Sequence, residues 1–137
     1  MSVEFFDTNI LVCAHDSDMG FKQRRALELV TRLMDGSAAA ISIQVLIEFY
    51  AIATRKLGMS SSEAQDILQD WTRWMTVHRP NPEDIVRAAG IQRRYRVSWF
   101  DALILNTAFE LGCSVLWTED LNRGQRYAAL TACNPFA

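Results

Sequence analysis

Short apolar runs, none longer than a buried strand needs, alternate along this chain with stretches of helical periodicity. That alternation restricts the fold to an α/β sandwich on a mostly parallel sheet. The first run (Val3, Phe5, Phe6) stops at Asp7-Thr8-Asn9 and resumes as Ile10, Leu11 and Val12. A parallel strand buried on both faces reads as such a run. Open α/β sheets take their ligands outside the carboxyl ends of the strands. Asp7 is therefore expected as a carboxylate at the mouth of the sheet, before a helix that Thr8, Asn9 or Asp7 itself can cap.

The remaining elements follow from local signals. After a polar loop at 15–20, residues 22–34 place Ala26, Leu29, Val30 and Leu33 on one helical face, closed by Asp35-Gly36. Residues 38–43 predict a second strand, with Ser42 as N-cap of a helix over 43–56 that Gly58 ends. Ser60 and Glu63 form a capping box for the next helix, whose buried face is Ile67, Leu68, Trp71 and Met75. A brief strand at 76–79 precedes Asn81-Pro82-Glu83-Asp84, which opens a helix to about residue 94. Ser98 opens another, to about residue 111, with Gly112 at its end. Residues 114–117 predict a strand with Thr118-Glu119-Asp120 as the loop after it, and 130–133 a last edge strand. No repeat, low-complexity stretch or linker interrupts residues 1–137, so one domain with its own core is expected.

The formal charge of -2, from 14 basic and 16 acidic residues, argues against a non-specific DNA coat. It leaves room for a nucleic-acid enzyme whose clustered acids mask a basic rim. All the basic residues but Lys22 and Lys56 are Arg, which grips phosphate bidentately, although genomic composition gives the same bias. Cys13, Cys113 and Cys133 are scattered and odd in number, which reads as reduced thiols in an intracellular, cytoplasmic protein and excludes a zinc-finger site. Glu4 and Asp7 interrupt any signal-peptide pattern, and no apolar run approaches a membrane span.

Four acids stand where acids are costly. Asp7 ends a strand. Glu48 sits in Ile43-Gln44-Val45-Leu46-Ile47-Glu48-Phe49-Tyr50, apolar on nearly every side and therefore expected to be largely buried. A carboxylate there needs an ion pair, with Arg55 or another Arg, or a cation. Asp101 follows Ser98-Trp99-Phe100; it fits a capping box with Ser98, but its short side chain makes the reach back poor. Asp120 follows a strand, as Asp7 does. Parallel α/β topology can bring two strand-end and two early-helix acids to one edge of the sheet. Carboxylates so gathered repel, and a hard divalent cation relieves them. Oxygen-only ligands suit Mg²⁺ or Mn²⁺, which activate water and offset charge on a phosphate.

Other chemistries are poorly served. His15 and His78 show no pairing pattern and read as structural or surface residues, and neither a Gly-rich phosphate loop nor G-x-S-x-G occurs. His15 is on the wrong helical face to serve Cys13 as a base.

The strand ending in Asp7-Thr8-Asn9, the helical Glu48, the run from Ser98 through Asp101 to Ala102, the loop Thr118-Glu119-Asp120-Leu121 and the closing Asn134-Pro135-Phe136 together resemble the PIN-domain nucleases. At this length the chain resembles the VapC-type toxins of prokaryotic toxin–antitoxin pairs. The resemblance implies a three-layer α/β/α fold and an Mg²⁺- or Mn²⁺-dependent endoribonuclease that cuts RNA. It implies Asp7 and Asp101 as direct metal ligands, Glu48 acting on metal through water or on the attacking water, and Asp120 at a second or weaker metal site. Thr8, Asn9 and Thr118 match polar positions that orient the acids or water. It also implies a homodimer held inactive by a cognate antitoxin, for which Trp71, Trp74 and Met75 provide more large apolar groups than one buried stripe needs. Arg93, Arg94 and Arg96, and Arg123 and Arg126, are candidate RNA contacts. Two rivals remain: a phosphotransfer enzyme or phosphatase with Asp7 as acceptor, though Asn9 stands where a second Asp is wanted, and a non-catalytic acidic pocket that receives a basic peptide.

Overall fold

The computed structural model describes residues 3–121 and 124–137. Strand β1 (Glu4–Phe6) passes through Asp7 into α1 (Thr8–Ala14), and Asp7 is the N-cap, not Thr8 or Asn9. The segment expected as a polar loop contains a 3-10 turn, Ser17–Met19, and leads into α2 (Phe21–Asp35). The four residues that the periodicity selects are those α2 buries. Next come β2 (Ala39–Ser42) and α3 (Ile43–Arg55), with the Ser42 hydroxyl accepting from the Val45 N–H. The capping boxes Ser60–Glu63 and Asn81–Asp84 start α4 (Ser61–Trp74) and α5 (Pro82–Tyr95), and β3 (Thr76–His78) lies between them. Then follow α6 (Trp99–Glu110), β4 (Val115–Trp117), β5 (Arg126–Tyr127) and β6 (Leu130–Cys133).

Among the described residues the strands form one sheet in the order β3-β2-β1-β4-β6-β5. Every neighbouring pair is parallel except β5 with β6. β6 is therefore not the edge strand that its sequence suggests. The two-residue β5 covers it through Tyr127 opposite Leu130, and a strand that short carries no alternation to read. Because β2 lies on one side of β1 and β4 on the other, the strand order reverses at β1. Right-handed crossovers then put α1–α4 on one face and α5 and α6 on the other. The packing agrees: α1 lies on α2 and α3, α3 on α4, and α5 on α6. This is the three-layer arrangement expected, and β1 is its centre, with Phe5 and Phe6 fully buried.

One expectation about burial fails. α3 is not buried all round: Val45, Phe49 and Ala53 form its inward stripe, while Ile47 is 65% exposed. An apolar sequence on every side does not show which side the neighbouring helices leave uncovered. Nor does Arg55 pair with Glu48. In α4, Trp71 and Met75 are buried but Trp74 is 59% exposed. The Trp71 ring meets Phe49 at 4.5 Å and His15 at 5.9 Å, so His15 is a packing residue at the joint of α1, α3 and α4. Among the described residues no helix is long and apolar enough to cross a membrane.

The sequence marks Asp84 only as a cap, yet it is 2% exposed and ties three elements together. Its carboxylate accepts from the Asn81 N–H (2.8 Å), the Arg87 guanidinium (2.7 Å) and the Asn106 amide of α6 (3.0 Å), with His78 Nε2 of β3 at 3.5 Å. These donors, the Asn81 N–H first, hold its pKa down at about 2 despite burial. A depressed pKa stabilises the fold above about pH 4, and that contribution is lost as the pH falls toward 2. Asp84→Ala removes the acceptor of the buried Asn106 amide and of the Asn81 N–H, while Arg87 keeps Glu110, and is expected to cost about 3 kcal/mol at pH 7. Urea denaturation of the variant should show that loss, and a shallower fall in stability between about pH 4 and pH 2 than the wild type.

Candidate active site

The reversal of strand order opens a crevice between the carboxyl ends of β1 and β4, and Asp7 and Thr118 sit at its two lips. The register that sets Phe6 beside Trp117 makes the next residues neighbours in turn. The Thr118 hydroxyl donates to Asp7 Oδ2 at 2.8 Å, and the Thr8 N–H donates to Oδ1 at 2.7 Å. Thr118 Oγ1 also accepts from the Asp120 N–H at 3.1 Å. One buried hydroxyl thus fixes the strand-end acid and the loop that carries a second acid.

Asp101 comes from the other face. Ser98 caps α6 by accepting from the Asp101 N–H at 3.1 Å, and this points the first turn at the crevice. Ligand oxygens of Asp7, Asp101 and Asp120 lie within 4.8 Å of one another. Glu48 stands outside that set but lines the same cleft, and its Oε1 accepts from the Thr8 hydroxyl at 2.9 Å. Thr8 therefore links Asp7 to Glu48 by using both its N–H and its O–H. Asn9 Oδ1 accepts from the Glu119 N–H at 3.4 Å. Glu119 itself pairs with Lys22 at 3.2 Å. All four acids predicted from sequence and the polar residues Thr8 and Asn9 line one cleft of about 680 Å³, with Thr118 fixed behind Asp7.

The predicted arginines are placed differently. Arg93 and Arg94 are exposed in the last turn of α5, and Arg96 ends that helix in the left-handed region at φ 54°. Arg126 is exposed on β5. None of these four lines the cleft. Arg123 lies outside the described residues. Among the described residues the Lys or Arg that reaches the cleft wall is Lys56, at the end of α3. Gln44, Asp16 and Asp18 also line it without having been singled out from sequence. Gln44 and Lys56 had one available signal: with Glu48 and Ile52 they recur every fourth residue along α3.

Burial raises the Asp7 carboxyl to a pKa of about 7. The hydrogen bonds from Thr118 and Thr8 oppose the rise, while the charges of Asp120 and Asp101 add to it. Asp101 is raised too, by burial and by Asp120, against its contact with Ser98. Among the described residues no Lys or Arg forms an ion pair with Asp7, Glu48, Asp101 or Asp120. Converging carboxylates, with Asp7 and Asp101 raised in proton affinity and none paired with a Lys or Arg among the described residues, fit a hard divalent cation.

A family model described as the PIN domain matches residues 5–129. No curated protein matches the sequence. Among solved structures the chain is similar to a toxin–antitoxin complex from Klebsiella pneumoniae, at 20% identity and a TM-score of 0.71 over 96% of this chain and 97% of that one. It is similar to a DNA-bound VapBC from Salmonella typhimurium at 16% identity and a TM-score of 0.71, covering 98% and 99% of the two chains. A sarcin–ricin-loop-cleaving VapC toxin of Mycobacterium tuberculosis superimposes with a TM-score of 0.65 at 17% identity, over 85% of this chain and 88% of that one. At these identities the likeness is one of fold.

The raised pKa of Asp7 has a sign that can be tested. The folded chain holds that proton more tightly than the unfolded chain, so its stabilising contribution is full below about pH 4 and is lost as the pH rises through about 7. In EDTA, wild-type stability from urea titration should fall between about pH 5 and pH 8. Asp7→Asn keeps one acceptor for the Thr8 N–H, meets the Thr118 oxygen only as a donor, and has no proton to lose in this range, so its stability should fall less. A divalent cation should restore stability to the wild type at pH 8 and much less to the variant.

Proposed function

This chain belongs to the PIN-domain family, and on that premise we propose that it is a divalent-cation-dependent endoribonuclease and the toxin of a toxin–antitoxin pair. The observation that carries the reading is the trio Asp7, Asp101 and Asp120, gathered within 4.8 Å at the point where the strand order reverses. RNA as substrate and an antitoxin as partner are supported by the solved structures of the same fold, which are described as toxin–antitoxin complexes and, in one case, as a toxin that cleaves the sarcin–ricin loop. A homodimer and a cytoplasmic location belong to the same proposal.

Asp7 and Asp101 are the direct holders of Mg²⁺ or Mn²⁺, with Asp120 completing the set or serving a second, weaker position. The ion supplies Lewis acidity at the phosphoryl oxygens and makes water more acidic. The chain's own groups do the rest. Thr118 and the Thr8 N–H lock the Asp7 carboxylate in one orientation, so little reorganisation is needed when charge builds on the phosphate. The Thr8 hydroxyl occupies Glu48 Oε1, which leaves Oε2 to take a proton from the attacking water. Lys56 at the cleft wall and the outlying Arg93, Arg94, Arg96 and Arg126 draw the RNA backbone toward the acids. The unpaired acids are also the feature that a basic antitoxin segment would cover.

The test is cleavage of a mixed pool of short RNAs by antitoxin-free protein in Mg²⁺ or Mn²⁺ and in EDTA. Cutting should require the metal. Asp7→Asn and Asp101→Asn should each lower it by at least about 100-fold while far-ultraviolet circular dichroism stays unchanged. Full activity in either variant, or a folded wild type that cuts no RNA, would overturn the assignment.

A further inference from the structure

Among the described residues three buried side-chain polar atoms have no hydrogen-bond partner: Asn9 Nδ2, Gln44 Nε2 and His78 Nε2. His78 Nε2 has a local reason, since it lies 3.5 Å from the Asp84 carboxylate. The other two belong to residues that line the acidic cleft, one from α1 and one from α3. An unmet buried donor is destabilising, and native folds hold few of them. Two on the walls of one cleft indicate a ligand that brings acceptors to it.

The two sets of groups ask for opposite chemistry. The carboxylates are acceptors and fit a cation. The amide N–H groups are donors, and no cation can satisfy them. A ligand that meets both carries oxygen acceptors beside a divalent ion, as a phosphodiester does. Asn9 already spends its Oδ1 on the Glu119 N–H, so its orientation has a structural use. Gln44 has no such second duty among the described residues. It lies one helical turn before Glu48, on the same side of α3, and the row continues through Ile52 to Lys56 along the cleft wall. The terminal torsion of a glutamine is broad, so a ligand needs only a turn of the amide to engage the donor.

We propose that Gln44 is a substrate-contacting residue whose Nε2–H donates to a non-bridging oxygen of the phosphodiester held against Asp7, Asp101 and Asp120. The proposal rests on the nuclease reading above and adds to it a donor on the α3 wall, opposite the acid contributed by α6. With the donor engaged, the negative charge that grows on the phosphoryl oxygens during cleavage meets an N–H that no protein group among the described residues had claimed.

Gln44→Leu tests it, because that change removes the unmet donor and keeps an apolar group of similar reach. In the full-length protein the variant should have a metal-free Tm equal to or above that of the wild type, and an unchanged rise in Tm on adding Mn²⁺. Its kcat/KM on a fluorescent RNA oligonucleotide should fall by about tenfold or more. Gln44→Glu, which keeps the shape and loses the donors, should show the same loss of cleavage with a larger Mn²⁺-induced rise in Tm. Undiminished kcat/KM in either variant overturns the proposal, as does a metal-free Tm lowered in Gln44→Leu, which would mean that the amide serves the fold. A wild type that cuts no RNA under these conditions overturns the nuclease reading itself, an outcome independent of residue 44.

Discussion

The hydrogen bond from Thr118 to Asp7 is the contact on which the site depends. It spans β1 and β4 at the place where the strand order reverses. Burying a carboxylate at the end of a central strand is unfavourable, and it is tolerated here because both oxygens are met, one by a hydroxyl and one by a backbone N–H. The same Thr118 oxygen anchors the Asp120 N–H. The loop after β4 therefore cannot move without disturbing the acid after β1. The cleft derives its fixed shape from the sheet, not from the loops around it.

Two buried aspartates in this chain are treated in opposite ways, and the contrast separates structure from chemistry. Asp84 has a backbone N–H, an amide and a guanidinium as donors, and its pKa drops to about 2. Asp7 has two neutral donors and two acids nearby, and its pKa rises to about 7. Both side chains are more than nine-tenths buried. At Asp7 burial outweighs the two neutral donors, whereas at Asp84 the donors outweigh burial. A fully satisfied carboxylate braces β3, α5 and α6. Asp7, met only by neutral donors and facing two acids, holds its proton instead.

The cleft is also under-satisfied in the other direction. Thr8 and Thr118 use their donors within the protein, while the amides of Asn9 and Gln44 keep theirs. Acceptors crowd the sheet edge and free donors lie on the helices beside it. Such a surface is complementary to a divalent ion and an oxyanion together and poorly matched to either alone.

Local signals in the sequence determined the helix starts and most of the strands. Ser42, Ser60, Asn81 and Ser98 cap the helices assigned to them, because a cap is a bond over three residues and needs no distant partner. The buried faces of α2 and α4 follow from periodicity for the same reason, and the alternation of elements was enough for the fold class. The sequence also marked four acids as misplaced, by their surroundings and by resemblance. Only the tertiary structure decided that Asp7, Asp101 and Asp120 converge while Glu48 stands one threonine away, because that separation depends on strand order and register over about 110 residues of chain. It alone showed Asp84 as a buried brace, Ile47 turned to solvent, β6 covered by β5, and the arginines of α5 off the cleft wall that Lys56 reaches. Each of these rests on which surface a neighbour covers, a long-range fact that no window of sequence contains.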